Sequence, residues 1–198
     1  MIAKAFQKLN YTSVTVSSLL LVGVSYYYSN LEFKWSPFES RLLNGILIFG
    51  ALMLTNYAID TVTRQLTIER TNRNAYHLLL YPLVVFSFPV ETVDMRFILA
   101  SAATWSAWRN TRLFFEATNN NEKLKRLFDA ALLISFSSVF ILENLLVLLI
   151  PLILLLIANV KRDIRYFIII LGTPLILLPT IYIIISFIGL DLLLFNSY

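Results

Sequence analysis

The sequence predicts an all-α, polytopic membrane protein of about seven transmembrane or re-entrant helices, with its N-terminus in the cytoplasm and its C-terminus outside. Three observations predict it. Hydrophobic residues make up 58% of the 198 positions and charged residues 14%, with a mean hydropathy of +0.74, whereas a soluble domain carries about 25% charged residues. A chain of this length cannot enclose so much apolar surface in one globule, so lipid serves as its solvent. The apolar residues also fall into seven segments long enough to enter a bilayer. Finally, thirteen of the sixteen Lys and Arg residues stand at one set of alternate segment ends.

The first segment, 13–30, follows Lys4 and Lys8. Lysines before an apolar run also open a signal peptide. Here no small-residue cleavage site follows and Tyr26-Tyr27-Tyr28 stands in its place, so the segment reads as a retained helix with an aromatic belt. The second, 42–59, carries Asn44 and Asn56, polar groups expected to hydrogen-bond to a neighbouring helix or a partner subunit. The third, 75–90, holds Pro82 and Pro89. In the fourth, 96–110, only Phe97 to Trp108 is uninterrupted, about 18 Å of helix. These two segments either cross or form a re-entrant hairpin, and both options return the chain to the same side. Ala100, Ala103 and Ala107 lie at helical spacing on the fourth, a small-residue face suited to close helix packing or a dimer seam.

The fifth segment, 127–142, follows a polar turn from Thr118 to Lys123, with Asn121 as the expected N-cap, and carries Ser135 and Ser138. The sixth, 144–160, contains Pro151, and the seventh, 166–190, contains Pro174 and Pro179. These prolines predict kinks. Helices are the expected interior throughout, because an open sheet cannot exist in lipid and no segment alternates as a barrel strand does. A single integral membrane domain is expected over 1–198, with no soluble domain or linker.

Orientation comes from the cations. Lys4 and Lys8, then Arg64, Arg70 and Arg73, then Arg109, Arg112, Lys123, Lys125 and Arg126, then Lys161, Arg162 and Arg165 fall at one side; Lys34, Arg41 and Arg96 fall at the other. The richer side is cytoplasmic. Arg109, Arg112, Lys123, Lys125, Arg126, Lys161, Arg162 and Arg165 are expected to anchor that side to anionic headgroups. The net charge of +4 is therefore membrane-directed; the cations form no stripe for nucleic acid.

Few residues carry chemistry. The absence of cysteine excludes disulfides, a thiol nucleophile and a cysteine-bound metal. His77 is the single histidine, expected at the cytoplasmic rim, so no histidine cluster or His-supported triad arises within the chain. The glycines make no phosphate-binding loop, and no cofactor or metal is expected. Asp60 and Asp129 sit beside basic loops, which suits local ion pairing.

The outward acids are the remaining candidates. Glu91 and Asp94 at i and i+3 would share a helix face, where they could hold a cation or act as an acid–base pair; the alternative is helix capping and an Asp94–Arg96 pair. Glu143-Asn144 is either the turn of an outer hairpin or, with Glu143, a ligand or proton site. The loop from Glu32 to Arg41, with Phe33, Trp35 and Phe38 around Pro37, reads as an interfacial anchor or a lipid-substrate contact.

From about Ala58 to Asp191 the chain resembles a family of polytopic inner-membrane proteins of unknown function typical of Bacteroidota. The likeness rests on Phe88-Pro89-Val90-Glu91 with Asp94, Trp108-Arg109-Asn110-Thr111-Arg112, Lys125-Arg126-Leu127-Phe128-Asp129-Ala130, Ser135-Phe136-Ser137-Ser138 and Leu171-Gly172-Thr173-Pro174. The resemblance implies a bacterial inner membrane and the same topology, and it supplies no activity. Members of that family run longer, with further spans, so a short member or an incomplete chain is expected here. A fainter likeness is to membrane glycosyltransferases that use polyprenyl-phosphate sugars, for which Glu32 or Glu39 would serve as the acid of the first outer loop.

Three functions remain open on the sequence. The chain is a non-catalytic subunit packing against a larger membrane protein or its own copy, an enzyme on a lipid-linked substrate at the outer face, or a transporter or channel component.

Overall fold

A computed structural model of the chain describes residues 6, 10–31, 37–63, 75–88, 93–157 and 163–188. Among them all regular structure is helical: α1 (Tyr11–Ser29), α2 (Arg41–Thr63), α3 (Tyr76–Ser87), α4 (Met95–Glu116), α5 (Asn120–Phe140), a 3-10 helix (Leu142–Leu148), α6 (Leu149–Ile157) and α7 (Ile164–Ile188). Two of these, α2 and the stretch Ile164–Ile184 of α7, are long and apolar enough to cross a membrane.

Helix ends follow local chemistry. Asn10 accepts from the Ser13 amide at 2.9 Å while its own amide donates to the Ser13 hydroxyl at 3.1 Å, a reciprocal cap that starts α1. The α5 cap is Asn119, whose Oδ1 accepts from the Asn121 amide at 3.1 Å. It lies two residues before the expected Asn121, because residue 120 already has helical geometry. Pro151 falls in the first turn of α6, where no amide hydrogen is needed, and the break in this apolar run comes earlier, as the 3-10 helix. By contrast, α7 continues through Pro174 and Pro179. α4 is also longer than its apolar stretch: its 22 residues reach Glu116, about 33 Å of helix.

The chain forms two compact units, Met1–Ala102 and Ala103–Tyr198, with the boundary inside α4. In unit 1 the core is Leu21, Val24 and Tyr28 of α1, Ile48, Ala51 and Leu52 of α2, and Met95, Ile98 and Ala102 of α4. The buried face of α1 reads Ser13, Ser17, Leu21, Val24, Ser25 and Tyr28, a three-to-four-residue spacing. Its serines let a neighbour come close. So does Gly45 near the start of α2, where an added Cβ would lie 3.2 Å from the Ser29 Cβ. In unit 2 the core gathers Ala107 and Phe114 of α4, Leu127, Ala131 and Ile134 of α5, Leu148 of the 3-10 helix, Leu155 of α6, and Tyr166 and Ile170 of α7.

Large apolar side chains face outward in both units. Leu19, Leu42, Ile46, Leu54 and Phe97 are exposed in unit 1, and Leu146, Ile168, Leu175 and Ile176 in unit 2. Only 17% of the most apolar window of α7 is buried by the chain itself.

Candidate functional site

One chain of polar groups inside unit 1 traces back to a proline. Pro82 has no amide hydrogen, so the carbonyl four residues before it, that of Leu78, loses its helical partner. In apolar surroundings such a carbonyl must find another donor. The Ser17 hydroxyl supplies it, reaching from α1 to the Leu78 oxygen at 2.8 Å. Asn56 of α2 then donates its side-chain N–H to the Ser17 oxygen at 2.9 Å. At the end of α3 the Val85 carbonyl accepts from the Phe88 amide at 3.3 Å and also from the Tyr28 hydroxyl of α1. Thus α1 supplies hydroxyl donors to two carbonyls of α3, those of Leu78 and Val85.

The hydrogen count fixes the Asn56 amide. Ser17 has one hydrogen and gives it to Leu78, so it can only accept from Asn56, and the Asn56 nitrogen must be the atom facing it. The Asn56 Oδ1 is left buried without a partner among the described residues. Asn44 behaves alike. Its Nδ2 donates to the Phe38 carbonyl at 2.8 Å, and its Oδ1 is also buried and unpartnered among the described residues. Both asparagines are therefore buried among helices of their own unit. One turn beyond Asn56, the Asp60 Oδ1 lies 3.0 Å from the His77 Nε2, tying the end of α2 to the start of α3. Asp60 therefore contacts the next helix; the basic loop beside it, residues 64–74, lies outside the described residues.

Of the acids expected to face outward, Asp94 is described in unit 1 and Glu143 in unit 2. Glu91 lies outside the described residues, and so do Lys161 and Arg162. Asp94 precedes α4. Its Oδ1 accepts from the Arg96 amide at 2.9 Å, and its Oδ2 takes the Arg96 Nε and Nη2 at 3.0 and 2.7 Å. This is capping chemistry joined to an ion pair. Glu143 belongs to unit 2, exposed in the first turn of the 3-10 helix, while the adjacent Asn144 donates to the Ser137 Oγ at 2.6 Å. The Thr104 hydroxyl shares a hydrogen with that same Ser137 oxygen at 2.8 Å, so one serine links α4, α5 and the 3-10 helix. Among the described residues, no three His, Cys, Asp or Glu side chains form a group that could hold a metal ion.

Comparison with family models, with curated proteins and with solved structures gives no match.

The small-residue face resolves into packing positions. Ala100 is fully buried in unit 1, and Ala103 and Ala107 are buried in unit 2. Of the cations, Arg112 pairs with Glu116 at 3.2 Å and Arg126 with Glu122 at 3.5 Å, each one helical turn away. Arg109 is half-buried, and Lys123, Lys125 and Arg165 complete the described set at that end of unit 2. Sequence reasoning passes over Ser17 and takes Tyr28 only as part of an aromatic belt. Their signal is nonetheless present: a proline inside α3, and hydroxyl residues on the buried face of α1.

Proposed function

We propose that the chain is a polytopic protein of the bacterial inner membrane, and that it acts there as a non-catalytic subunit of a larger membrane assembly. One observation carries this reading: the uncovered apolar surface, of which α7 is the clearest case, with only 17% of its most apolar window buried. A surface of that kind needs lipid or another membrane helix against it. The chemistry of the described acids supports the non-catalytic part. Asp94 is taken up by its own helix start and by Arg96, and Asp60 contacts His77. The resemblance to polytopic inner-membrane proteins and the one-sided cations support the location and a cytoplasmic N-terminus.

The test is gentle detergent extraction of tagged protein from native membranes, followed by mass spectrometry of what stays bound in fixed proportion. A stoichiometric membrane protein is the expected result. A strictly monomeric chain with nothing bound would overturn the subunit reading, and release of the chain by an alkaline carbonate wash would overturn the membrane reading.

A second reading, as a component of a proton-coupled transporter, is favoured by the Asp60–His77 pair. An ionisable residue buried between membrane helices is a functional candidate by default. It expects Asp60→Asn to abolish coupled uptake in vesicles while the protein level holds; full uptake would remove it.

A further inference from the structure

The ends of three helices meet at one place in unit 2. Tyr166, in the first turn of α7, donates its hydroxyl to the Asn120 Oδ1 in the first turn of α5 at 2.6 Å. The ring of Tyr166 also packs edge-on against Phe114, near the end of α4, with centroids 5.2 Å apart. Six cations stand on these three segments: Arg109 and Arg112 on α4, Lys123, Lys125 and Arg126 on α5, and Arg165 on α7. The acids facing the same end are Glu116, Glu122, Asp129 and Asp163. Glu116 is taken by Arg112, and Glu122 by Arg126. Asp163 accepts from the backbone amide of Arg165 at 3.0 Å, which caps α7 and leaves the guanidinium aside. Among the described residues, no carboxylate forms an ion pair with Lys123, Lys125 or Arg165.

The surface beside these cations is apolar. Phe128 and Leu132 on α5 and Ile164 and Ile168 on α7 are all exposed, within about two turns of the charges. A free phosphate would use the cations and leave this surface bare. A phospholipid would use both, its phosphate on the ammonium and guanidinium groups and its chains along Phe128 and Ile168.

We propose that this end of unit 2 is a binding site for an anionic phospholipid headgroup, with Lys123, Lys125 and Arg165 supplying the positive charge that holds it. The site rests on the membrane reading above. Arg165 brings planar paired donors suited to phosphate oxygens, and the two lysines bring mobile point charges.

The experiment places the full chain in nanodiscs of equal parts phosphatidylglycerol and phosphatidylcholine. The lipids that stay bound on release into mild detergent are then counted by native mass spectrometry. The wild-type chain is expected to retain phosphatidylglycerol over phosphatidylcholine by about tenfold or more, given the attraction of each basic residue to an anionic surface. The triple variant Lys123→Gln, Lys125→Gln, Arg165→Gln is expected to bring the preference close to parity, with helicity by circular dichroism unchanged. Lys125→Gln alone, at an exposed position, is expected to give a partial loss and serves if the triple variant misfolds. Arg41→Gln, in unit 1, keeps the full preference.

Equal retention of both lipids by the wild type would overturn the site, as would a triple variant with undiminished preference. Complete displacement of the lipid by millimolar inorganic phosphate would overturn the lipid as its ligand in favour of a free anion. A chain that inserts but shows no preference fails this inference alone, whereas a chain washed off membranes by carbonate fails the membrane reading with it.

Discussion

The Ser17 hydroxyl donates to the Leu78 carbonyl at 2.8 Å, the carbonyl that Pro82 leaves without its helical partner. Two unrelated sequence choices, a serine on α1 and a proline on α3, therefore form one structural unit. Pro82 is tolerated inside α3, at a buried position, because a hydroxyl from α1 does what its missing amide would have done.

This coupling has a measurable signature. Ser17→Ala leaves the Leu78 carbonyl and the Asn56 amide without their partner, at a cost of about 1–3 kcal/mol. Pro82→Ala restores an N–H four residues after Leu78. In the double variant the carbonyl is served by its own helix, so the serine loss should cost about 1 kcal/mol less than in the wild-type background. Unfolding of the four proteins in one detergent measures the cycle. Strict additivity would show that the proline and the serine are independent.

Much of the architecture is legible in the residues. Among the described residues each of the seven α-helices overlaps one of the seven apolar segments, because segment length is a one-dimensional property, although α4 runs six residues past its segment and α5 starts seven before its own. Pairing is what the residues do not spell out. Asn56 announces that it needs a partner, but nothing in the sequence says that the partner is Ser17, because that contact depends on how α1 lies on α2. The 3-10 helix escapes a sequence reading for a similar reason. Glu143-Asn144 reads as a turn, and the Asn144–Ser137 bond that supports the tight helix there spans seven residues of tertiary geometry. Asp94 shows the opposite case. Its two competing readings are both visible in the sequence; the contacts to Arg96 are those of the capping reading, while Glu91, on which the other depends, lies outside the described residues.

Asp94 separates a structural from a catalytic acid. Asp94→Ala removes the cap and the Arg96 partner and should destabilise by about 1–2 kcal/mol. Asp94→Asn keeps an acceptor oxygen for the Arg96 amide and loses only the charge, so it should cost about half as much or less. Thermal unfolding in detergent ranks the two variants. If Asp94→Asn stayed fully stable yet lost the bound partner or any assigned activity, the carboxylate charge would have a role beyond the helix start.

Gly45 tests how closely α1 and α2 approach. A Cβ there would meet the Ser29 Cβ at 3.2 Å and the Ser29 Oγ at 3.5 Å. Valine adds branched methyls at a point where the neighbour is itself a helix, so Gly45→Val should destabilise by about 1–3 kcal/mol through overpacking. The same substitution at Gly50, where an added Cβ meets nothing within 4 Å, should have a clearly smaller effect. Equal effects at the two positions would show that helix propensity, rather than the Ser29 contact, sets the cost.

Tyr166 joins the starts of α5 and α7 in two ways, and substitution can separate them. Tyr166→Phe keeps the edge-on contact with Phe114 and removes only the hydroxyl bond to Asn120. Asn120 is exposed, so water can replace that bond and the loss should be about 1 kcal/mol or less. Tyr166→Leu removes the ring as well, from a position only 4% exposed, and should cost about 2–4 kcal/mol as the space beside Phe114 goes unfilled. Phenylalanine is the milder change because the buried ring contributes more than its hydroxyl does. Should the phenylalanine variant prove as damaging as the leucine one, the hydroxyl bond between the two helix starts would be the principal fastening of unit 2 at that end.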